Sequence, residues 1–428
     1  MPWGFSFVVF VVFVVIRIES INGKGHEVEG KNCITRPVLR ALAAAVVLSL
    51  LLLIFLRADL HGKGEIDLLQ YYTSATLLLS GENPYDAKLI SEFQRGIHGG
   101  AKDTVLMWNP PLLLPLIAPF ALLSFSSLVK VWFACSLLLF FCAGVISWNA
   151  VHAVVPTSLK YNRGDEIIFL ALLLTFYPPY DSLTWGQLSA VPLLGLALFL
   201  HFSFSEYAGG RRSFLAGFAL ALTLVKPHLL YLLYLHLLTQ AARSRSWQTI
   251  AGFLSGALLL SGIPLIFNVD IYLLYLQAFD SPPIYWQTPT LGSWLQLLSS
   301  QHTLFIRTLP TLISASAYLL WAWPQRKRQI GPQALFFIIP LSLVSAPYGW
   351  LYDQSLLIPS LIWMAVILKQ RKSLFSVPIA ILLCFHLGMF VLRFPQQYYV
   401  WYPLLLTLLL GATSRAPHRH VKPVDLKF

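Results

Sequence analysis

The chain is dominated by a series of apolar runs that are separated by short, mostly basic linkers. Runs of roughly 15–25 apolar residues bounded by charged residues are typical of helices that span a membrane. Apolar residues make up 57% of the sequence and charged residues 11%, whereas soluble domains carry about 25% charged residues. A soluble fold of this size would be unable to bury so much apolar surface. The sequence therefore predicts an all-α integral membrane protein.

The apolar runs predict a polytopic bundle of about 11–13 transmembrane helices. They occur at 38–56, 110–123, 127–149, 166–178, 187–204, 213–225, 227–240, 247–268, 303–323, 333–347, 354–369, 374–391 and 398–412. Residues 3–16 form a further apolar stretch that is short for a span. An additional helix, an uncleaved signal-like segment and a wrongly assigned start codon all fit residues 1–18.

The same pattern divides the chain into three parts. Residues 1–37 contain the N-terminal apolar segment and a cytoplasmic linker, residues 38–412 the transmembrane domain, and residues 413–428 a basic cytoplasmic tail. Basic residues precede the first clear helix, which places residues 58–104 outside. This first outer loop holds seven of the 18 acidic residues, namely Asp59, Glu65, Asp67, Glu82, Asp86, Glu92 and Asp103. It is too long for a plain connector, so we expect interfacial helices within it.

The net charge of +12 requires no nucleic-acid partner. The basic residues lie in short clusters between apolar runs, which is the positive-inside pattern of membrane proteins. The basic linkers predicted to be cytoplasmic are 205–213, 241–247, 325–332 and 369–373, and those predicted to be outside are 269–302, 348–353 and 392–397. The four cysteines and the scattered histidines lack the spacing of metal ligands, so no metal site is predicted.

One helix pair is predicted to be broken inside the membrane. Both linkers that flank residues 213–240 are predicted to be cytoplasmic, so this stretch must go out and return. Each half has about 14 residues, which gives roughly 21 Å of helix, shorter than the hydrocarbon core of about 30 Å. The turn at Lys226, Pro227 and His228 is therefore predicted to lie in the membrane. Such a turn is tolerated only in contact with protein or a watery cavity. The helices that flank residues 179–186 have the same short geometry, so a recessed cavity facing outward is predicted.

Asp67 lies just after the first clear helix, at the predicted outer boundary. A carboxylate beside the wall of a cavity from which water is excluded becomes more basic, which suits it to general-base catalysis. The alternative is an acid that merely marks the end of the helix. Tyr85 and Asp86 close the following turn, which contains Gly81, and are candidates for binding substrate. This turn alternatively serves only to end the helix before it.

Lys226 is an ionisable residue within an otherwise apolar stretch. Such residues are costly in a membrane and are functional candidates by default. Together with His228, its ammonium group is suited to neutralising the phosphate of a lipid carrier as charge develops on the leaving group. The alternative is a lysine whose ammonium reaches the interface while its stem stays in the lipid.

Four further residues are candidates for substrate binding. Tyr352, Asp353 and Gln354 lie at a predicted outer boundary and offer groups that hydrogen-bond sugar hydroxyls. An interfacial aromatic belt is the alternative for this region. Gln187 follows the Trp185-Gly186 turn, where it either orients a substrate oxygen or is a buried amide with its hydrogen bonds satisfied. The sequence contains no Gly-rich phosphate loop, so a nucleotide-sugar donor is disfavoured.

Several motifs together resemble glycosyltransferase family 87, whose members are polytopic enzymes of the GT-C superfamily. The resemblance covers roughly residues 40–410. The motifs that carry it are the stretch from Asp67 to Tyr85 with its Gly81 turn, NPPLLLPL at 109–116, WGQLSAVPLL at 185–194, Lys226-Pro227, and SAPYGWLYDQSLLIP at 345–359. The best-studied members are mannosyltransferases that use polyprenyl-phosphate-mannose and act on phosphatidylinositol mannosides.

The resemblance implies a role for three residues. Asp67 matches the catalytic base, Lys226 the lysine that contacts the donor phosphate, and Asp353 the aspartate of a late outer loop. The best-studied mannosyltransferases carry histidines right after that aspartate, whereas this chain has Gln354 and Ser355, a departure that concerns sugar and acceptor specificity. The resemblance further implies a GT-C-type bundle, an inverting transfer without cofactor or metal, a glycolipid or glycan acceptor, and an active site on the outer face of the cell membrane.

The alternative function is a transporter or flippase for a lipid-linked glycan. Transporters often contain repeated halves with broken helices at corresponding positions. Here the acidic residues concentrate in one early loop that has no second copy, which favours an enzyme. A non-catalytic scaffold would leave the cost of Lys226 unexplained.

Overall fold

The computed structural model describes residues 66–98, 103–155, 172–204, 209–244, 247–279, 282–323, 333–370, 376–392 and 394–414. All regular secondary structure within these ranges is helical, which confirms the predicted all-α class. The predicted helix at 38–56, the segment 1–18 and nearly all of the basic tail lie outside the described residues.

Most helices follow the predicted apolar runs, but the predicted turn at 179–186 is wrong, because Tyr177–Trp185 is a helix that ends at Gly186. The predicted linker 269–302 also contains two helices, Ile271–Ala278 and Leu291–Ser299. The α-helices are α1 Ile66–Leu79, α2 Ala87–His98, α3 Leu114–Ile117, α4 Phe125–Ala153, α5 Tyr177–Trp185, α6 Ala190–Ser203, α7 Gly210–Leu220, α8 Tyr231–Ser244, α9 Gln248–Phe267, α10 Ile271–Ala278, α11 Leu291–Ser299, α12 Leu304–Ala322, α13 Gln333–Ser345, α14 Ile358–Gln370, α15 Ser376–Leu392 and α16 Trp401–Ser414. Short 3₁₀ segments occur at Pro111–Leu113, Ala118–Leu122, Ala221–Val225, Pro227–Leu230, Leu351–Leu357 and Gln396–Val400.

Four helical stretches in the described part of the chain are long and apolar enough to cross a membrane. They are Phe125–Ala153, Gln248–Phe267, Leu304–Ala322 and Leu351–Leu368. The last stretch is almost entirely enclosed by other helices, whereas α9 and α12 present large apolar side chains on the surface. Such exposed apolar faces are expected where a helix contacts lipid, because lipid is as apolar as the side chains.

The described part of the predicted outer loop contains two helices, α1 and α2. Gly81 ends α1 with a positive φ of 76°, a conformation that glycine adopts without steric cost. Asp86 caps α2, since its Oδ1 accepts hydrogen bonds from the backbone N–H groups of Lys88 at 2.8 Å and Leu89 at 3.0 Å. Gly81 therefore ends the first helix and Asp86 begins the second, so this part of the loop is helical, as predicted. That these helices lie at a membrane surface remains a prediction.

The predicted helix break at Lys226 is confirmed. Lys226 separates the two 3₁₀ segments 221–225 and 227–230 and has φ −143° and ψ 70°. The residue before a proline is disfavoured in the α conformation, and Pro227 itself has no N–H to donate. A helix therefore ends on one side of Lys226 and begins again on the other.

Small residues bring α7, which leads into this break, very close to α9. A Cβ atom at Gly217 would lie 1.8 Å from the carbonyl oxygen of Thr249, and one at Gly252 would lie 1.9 Å from that of Phe214. Neither position tolerates a side chain without a backbone shift. Close packing through small residues is a common way of joining helices in membranes, and here it fixes the approach to Lys226.

A small apolar core anchors α1. Leu68, Tyr71, Ala75 and Leu78 recur every three or four residues and are buried, which is the spacing of one helix face. They pack with side chains from the 111–122 segment, α4 and the chain just before Lys226. The first turn of α1, which carries Asp67, therefore lies beside the helix break.

Candidate active site

Three separate backbone features deliver side chains to one buried polar cluster. The first is the start of α1, whose opening turn carries Asp67. A carboxylate is electrostatically favoured at this end of a helix because the backbone N–H groups there have no helical partners. Asp67 is half-buried, so its carboxylate lies at the edge of the α1 core.

The second feature is the turn after α5. Gly186 has φ 68° and donates its N–H to Leu183, a left-handed helix end for which glycine is the usual residue. The turn places two polar side chains in succession, Gln187 and Ser189, both of which are buried. The motif WGQLS thus supplies two members of the cluster instead of the one that the sequence predicted.

The third feature is the helix break, which buries Lys226. Its Nζ atom lies 2.6 Å from Oδ1 of Asp353, and the side chains are only 8% and 3% exposed. Nζ also lies 4.6 Å from the centre of the Tyr352 ring, within the range of a cation–π contact. A buried charge that is paired and hydrogen-bonded avoids most of the cost of leaving water.

The carboxylate of Asp353 accepts hydrogen bonds from the protein on both of its oxygens. Besides the ammonium of Lys226, Oδ1 accepts a hydrogen bond from Oγ of Ser189 at 3.1 Å. Oδ2 accepts one from the backbone N–H of Trp350 at 3.0 Å. The closest of these donors is the Lys226 ammonium, so Asp353 pairs with Lys226 inside the protein.

Gln187 joins the two halves of the cluster. Its Nε2 donates to Oδ2 of Asp67 at 2.6 Å. Its Oε1 accepts from Nζ of Lys226 at 3.2 Å and from the hydroxyl of Tyr71 at 2.8 Å. Asp67 and Lys226 therefore share one site and are connected through a single amide.

Asp67 has a raised pKa, and burial is the largest cause. The hydrogen bond from Gln187 and the charge of Lys226 oppose this shift, whereas the negative charge of Asp353 adds to it. The net direction makes the Asp67 carboxylate a stronger base than a solvated aspartate, since a higher pKa means a greater affinity for protons.

No hydrogen bond joins the remaining predicted site residues, Tyr85, Asp86 and His228, to this cluster among the described residues. The hydroxyl of Tyr85 donates to the carbonyl of Asn109 at 3.0 Å, and Asn109 in turn donates to the carbonyl of Val225 at 3.3 Å. Asp86 is engaged in capping α2. His228 is half-buried, and no hydrogen bond joins it to another described residue.

Gln354 lies one residue beyond the ion pair. Its Nε2 donates to the carbonyl of Tyr399 at 3.1 Å, and its buried Oε1 has no hydrogen-bond partner among the described residues. A buried acceptor of this kind is costly unless something donates to it. The Oε1 atom of Gln354 is thus an acceptor that no described residue uses.

The sequence reasoning missed three residues of the cluster, Tyr71, Ser189 and Trp350, and one buried acid that interacts with it electrostatically, Asp181. Two of them carried a local signal, because Tyr71 follows Asp67 by one helical turn and Ser189 belongs to the WGQLS motif. Asp181 in α5 is buried, and its Oδ2 has no partner among the described residues. Burial raises the pKa of Asp181 to about 7, and the charges of Asp67 and Asp353 act in the same direction.

A row of aromatic rings leads from the ion pair to the loop 282–290. Tyr352 stacks with Trp350 at a centroid distance of 6.2 Å, Trp350 contacts Trp286 at 5.4 Å, and Trp286 contacts Trp108 at 6.1 Å. Trp286 is exposed, and Trp350 and Trp108 are half-buried. The row therefore connects the buried Lys226 with the surface of the protein.

The fold and this cluster define a polytopic membrane protein with a carboxylate, an amide and a buried ammonium group in one polar site. A family model described as glycosyltransferase family 87 matches residues 108–345, just over half of the 428 residues. The chain belongs to glycosyltransferase family 87 and is a membrane glycosyltransferase. No curated protein and no solved structure is significantly similar to it.

The family match and the site overlap only in part. Gln187 and Lys226 lie within residues 108–345, whereas Asp67 and Asp353 lie outside that range. The contacts described above nevertheless join all four side chains. Among the described residues, no group of three or more His, Cys, Asp or Glu side chains is arranged to hold a metal ion.

Proposed function

We propose that the protein transfers a hexose, with mannose as the first candidate, from a polyprenyl-phosphate-sugar donor to a lipid or glycan acceptor. The reaction takes place at the outer face of the cell membrane, and Asp67 is its general base. The proposal invokes no cofactor, metal or nucleic acid. The observation that carries it is the arrangement of Asp67, Gln187 and Lys226, because a raised-pKa carboxylate and a buried cation lie on either side of one amide.

The carboxylate of Asp67 is suited to accept a proton. Gln187 holds its Oδ2, and no hydrogen bond from another described residue reaches Oδ1. One oxygen is therefore fixed while the other is available to a substrate hydroxyl. A general base must lie within hydrogen-bond reach of the proton that it removes, and this half-buried position on α1 allows such an approach.

The ammonium of Lys226 retains one donor for the phosphate. It carries three N–H groups, and the described residues use two of them, one for Asp353 and one for Gln187. The third is available to a phosphate oxygen. A cation already fixed in place stabilises charge that develops on a leaving group without reorganising at the moment of reaction.

The transfer follows as a single displacement. An oxygen of the acceptor hydroxyl forms a bond to the anomeric carbon as its proton passes to Asp67. The bond between that carbon and the phosphate oxygen breaks, and its electron pair leaves with polyprenyl phosphate near Lys226. His228, Gln354 and Tyr352 are the nearby groups that we assign to the donor phosphate and the sugar. One displacement inverts the anomeric configuration.

The proposal is tested with purified protein in lipid nanodiscs. The donors are polyprenyl-phosphate-mannose and polyprenyl-phosphate-glucose, and the acceptor is a total lipid extract from a strain that lacks the gene. We expect a glycosylated product with inverted configuration. In Asp67→Asn, transfer should fall by about 10²–10⁴-fold with the amount of folded protein unchanged. Glu92→Gln removes an exposed carboxylate from α2 and should keep full activity.

Two outcomes contradict the proposal. Unimpaired turnover in Asp67→Asn excludes Asp67 as the base. Movement of the lipid-linked sugar across the nanodisc or a vesicle membrane without a covalent product identifies a transporter instead.

A further inference from the structure

The side-chain amide of Gln187 is used at both ends. An amide has a donor end and an acceptor end. Here the donor end faces the carboxylate of Asp67, and the acceptor end faces the ammonium of Lys226 and the hydroxyl of Tyr71. The opposite orientation would set two donor groups against each other and an oxygen against a carboxylate. The neighbours therefore fix the orientation of the amide.

These contacts give Gln187 a different role from binding substrate. The side chain is 3% exposed, and both ends of its amide are hydrogen-bonded to protein groups. The left-handed turn at Gly186 and the hydrogen bond from the backbone N–H of Gln187 to the carbonyl of Ser182, at 2.9 Å, hold its backbone in place. The amide is thus a rigid connection between two charged groups.

We infer, on the basis of the proposed function, that Gln187 is a positioning residue that holds Asp67 as the base and prevents a direct ion pair between Asp67 and Lys226. By occupying Oδ2 it leaves Oδ1 for the acceptor hydroxyl. By accepting from Lys226 it keeps that ammonium beside Asp353, with its third N–H available for phosphate.

The physical reason concerns the basicity of Asp67. An opposite charge within about 4–6 Å lowers the pKa of a carboxylate by about 1–3 units. A direct contact with Lys226 would therefore make Asp67 a weaker base and would consume the donor that the phosphate needs. A neutral amide between them orients the carboxylate while weakening this effect.

The environment of Asp67 allows a pH-based test. Among the described residues, the titratable groups that act electrostatically with Asp67 are Lys226, Asp353, Asp181, Tyr71 and Tyr352. Gln187 is uncharged and lies between Asp67 and Lys226. Replacing its amide by a carboxyl group changes the charge next to Asp67 while nearly preserving the shape of the side chain.

The decisive variant is Gln187→Glu, assayed for kcat/KM against pH with polyprenyl-phosphate-mannose. A second carboxyl group beside Asp67 makes loss of the Asp67 proton harder. The acid limb of the profile should therefore move to higher pH by about one unit or more, and the deficit should shrink as the pH rises. Gln187→Met keeps the length of the side chain but removes the hydrogen bonds of its amide. It should lower kcat by at least about tenfold, with less effect on the KM for the donor.

The matched control is Gln94→Glu. Gln94 is a buried residue on α2 whose side-chain amide is also hydrogen-bonded at both ends. Its Nε2 donates to the carbonyl of Val105, and its Oε1 accepts from the backbone N–H of Val105, each at 2.9 Å. Its replacement tests the structural cost of a buried carboxyl group away from Asp67. The acid limb should stay where it is in the wild type.

The outcomes separate this inference from the proposed function. A wild type that transfers no sugar from polyprenyl-phosphate donors overturns both. A wild type that does transfer, with an unmoved acid limb in folded Gln187→Glu, overturns the inference alone. If Gln187→Glu does not fold, a wild-type kcat in Gln187→Met has the same consequence.

Discussion

Lys226 and Asp353 form a buried ion pair, with Nζ 2.6 Å from Oδ1, although 127 positions separate them in the sequence. Removing one partner of such a pair leaves an uncompensated charge, which costs about 3–5 kcal/mol. We therefore expect Asp353→Leu and Lys226→Met each to lower the yield and the unfolding temperature of the protein.

The double variant separates stability from catalysis. Replacing a buried pair by apolar residues of similar size is often neutral, so Lys226→Met combined with Asp353→Leu should recover most of the unfolding temperature. It should not recover sugar transfer, because the cation for the phosphate is lost. Recovery of both by the double variant would show that Lys226 serves only the fold. Thermal unfolding in detergent and the transfer assay provide the two measurements.

The pH dependence of transfer should report the ionisation of Asp67. The base works only when it is deprotonated, and its pKa is raised mainly by burial. The acid limb of kcat/KM is therefore expected above the value of about 3.9 for a free aspartate. Transfer should fall as the pH is lowered through this raised pKa. An acid limb at or below the free value would contradict a buried, poorly solvated base.

Much of this site could be predicted from sequence because its determinants are local. The break at Lys226 follows from the length of the flanking helices and from Pro227. Gly186 indicates the turn that positions Gln187, and Asp67 indicates the first turn of α1. Each prediction rests on residues within a few positions of one another.

The partners within the cluster could not be predicted in the same way. The contacts of Gln187 with Asp67 and Lys226, and the contact of Ser189 with Asp353, join residues that only the tertiary fold brings together. A helix pattern fixes the face that a side chain occupies but not which distant side chain meets it. The sequence predicts that Asp353 binds sugar hydroxyls, and only the fold adds that its oxygens accept hydrogen bonds from three protein groups.

Asp181 should give the stability of the protein a characteristic pH dependence. Its pKa is about 7 in the folded protein and about 3.9 in an unfolded chain. Between these values the folded state holds a proton that the unfolded state has lost. The contribution of Asp181 to stability is therefore greatest below about pH 4 and declines as the pH rises to about 7, by up to about 4 kcal/mol.

The variant Asp181→Asn should remove this decline. Its unfolding temperature relative to the wild type should increase as the pH rises from about 4 to about 7. Ser182→Ala removes a buried hydroxyl from the same helix without removing a titratable group, and it should shift the unfolding temperature by the same amount at every pH. A constant offset for Asp181→Asn as well would show that this carboxyl group ionises normally in the folded protein.

Arg307 holds together the two segments that carry Trp286 and Trp350. It is fully buried, and its described partners are neutral oxygens together with the ring of Tyr348 at 3.9 Å. Its guanidinium donates to the carbonyls of Pro347, Ile284 and Trp286 at 2.7–3.0 Å and to the side chains of Gln296 and Thr288. This set needs three donor nitrogens in a planar fork, which lysine does not provide.

We therefore expect Arg307→Lys to be nearly as damaging as Arg307→Met. Each carbonyl left without a donor costs about 1–3 kcal/mol, so residues 282–290 and 346–350 should lose protection from hydrogen exchange. The aromatic row beside Lys226 should loosen, and kcat/KM should fall while Asp67 itself is unchanged. Thr308→Ala, which removes a hydroxyl that bonds only to carbonyls of its own helix, is the control. Normal protection of both segments in Arg307→Lys would mean that the charge, and not the fork of donors, holds them.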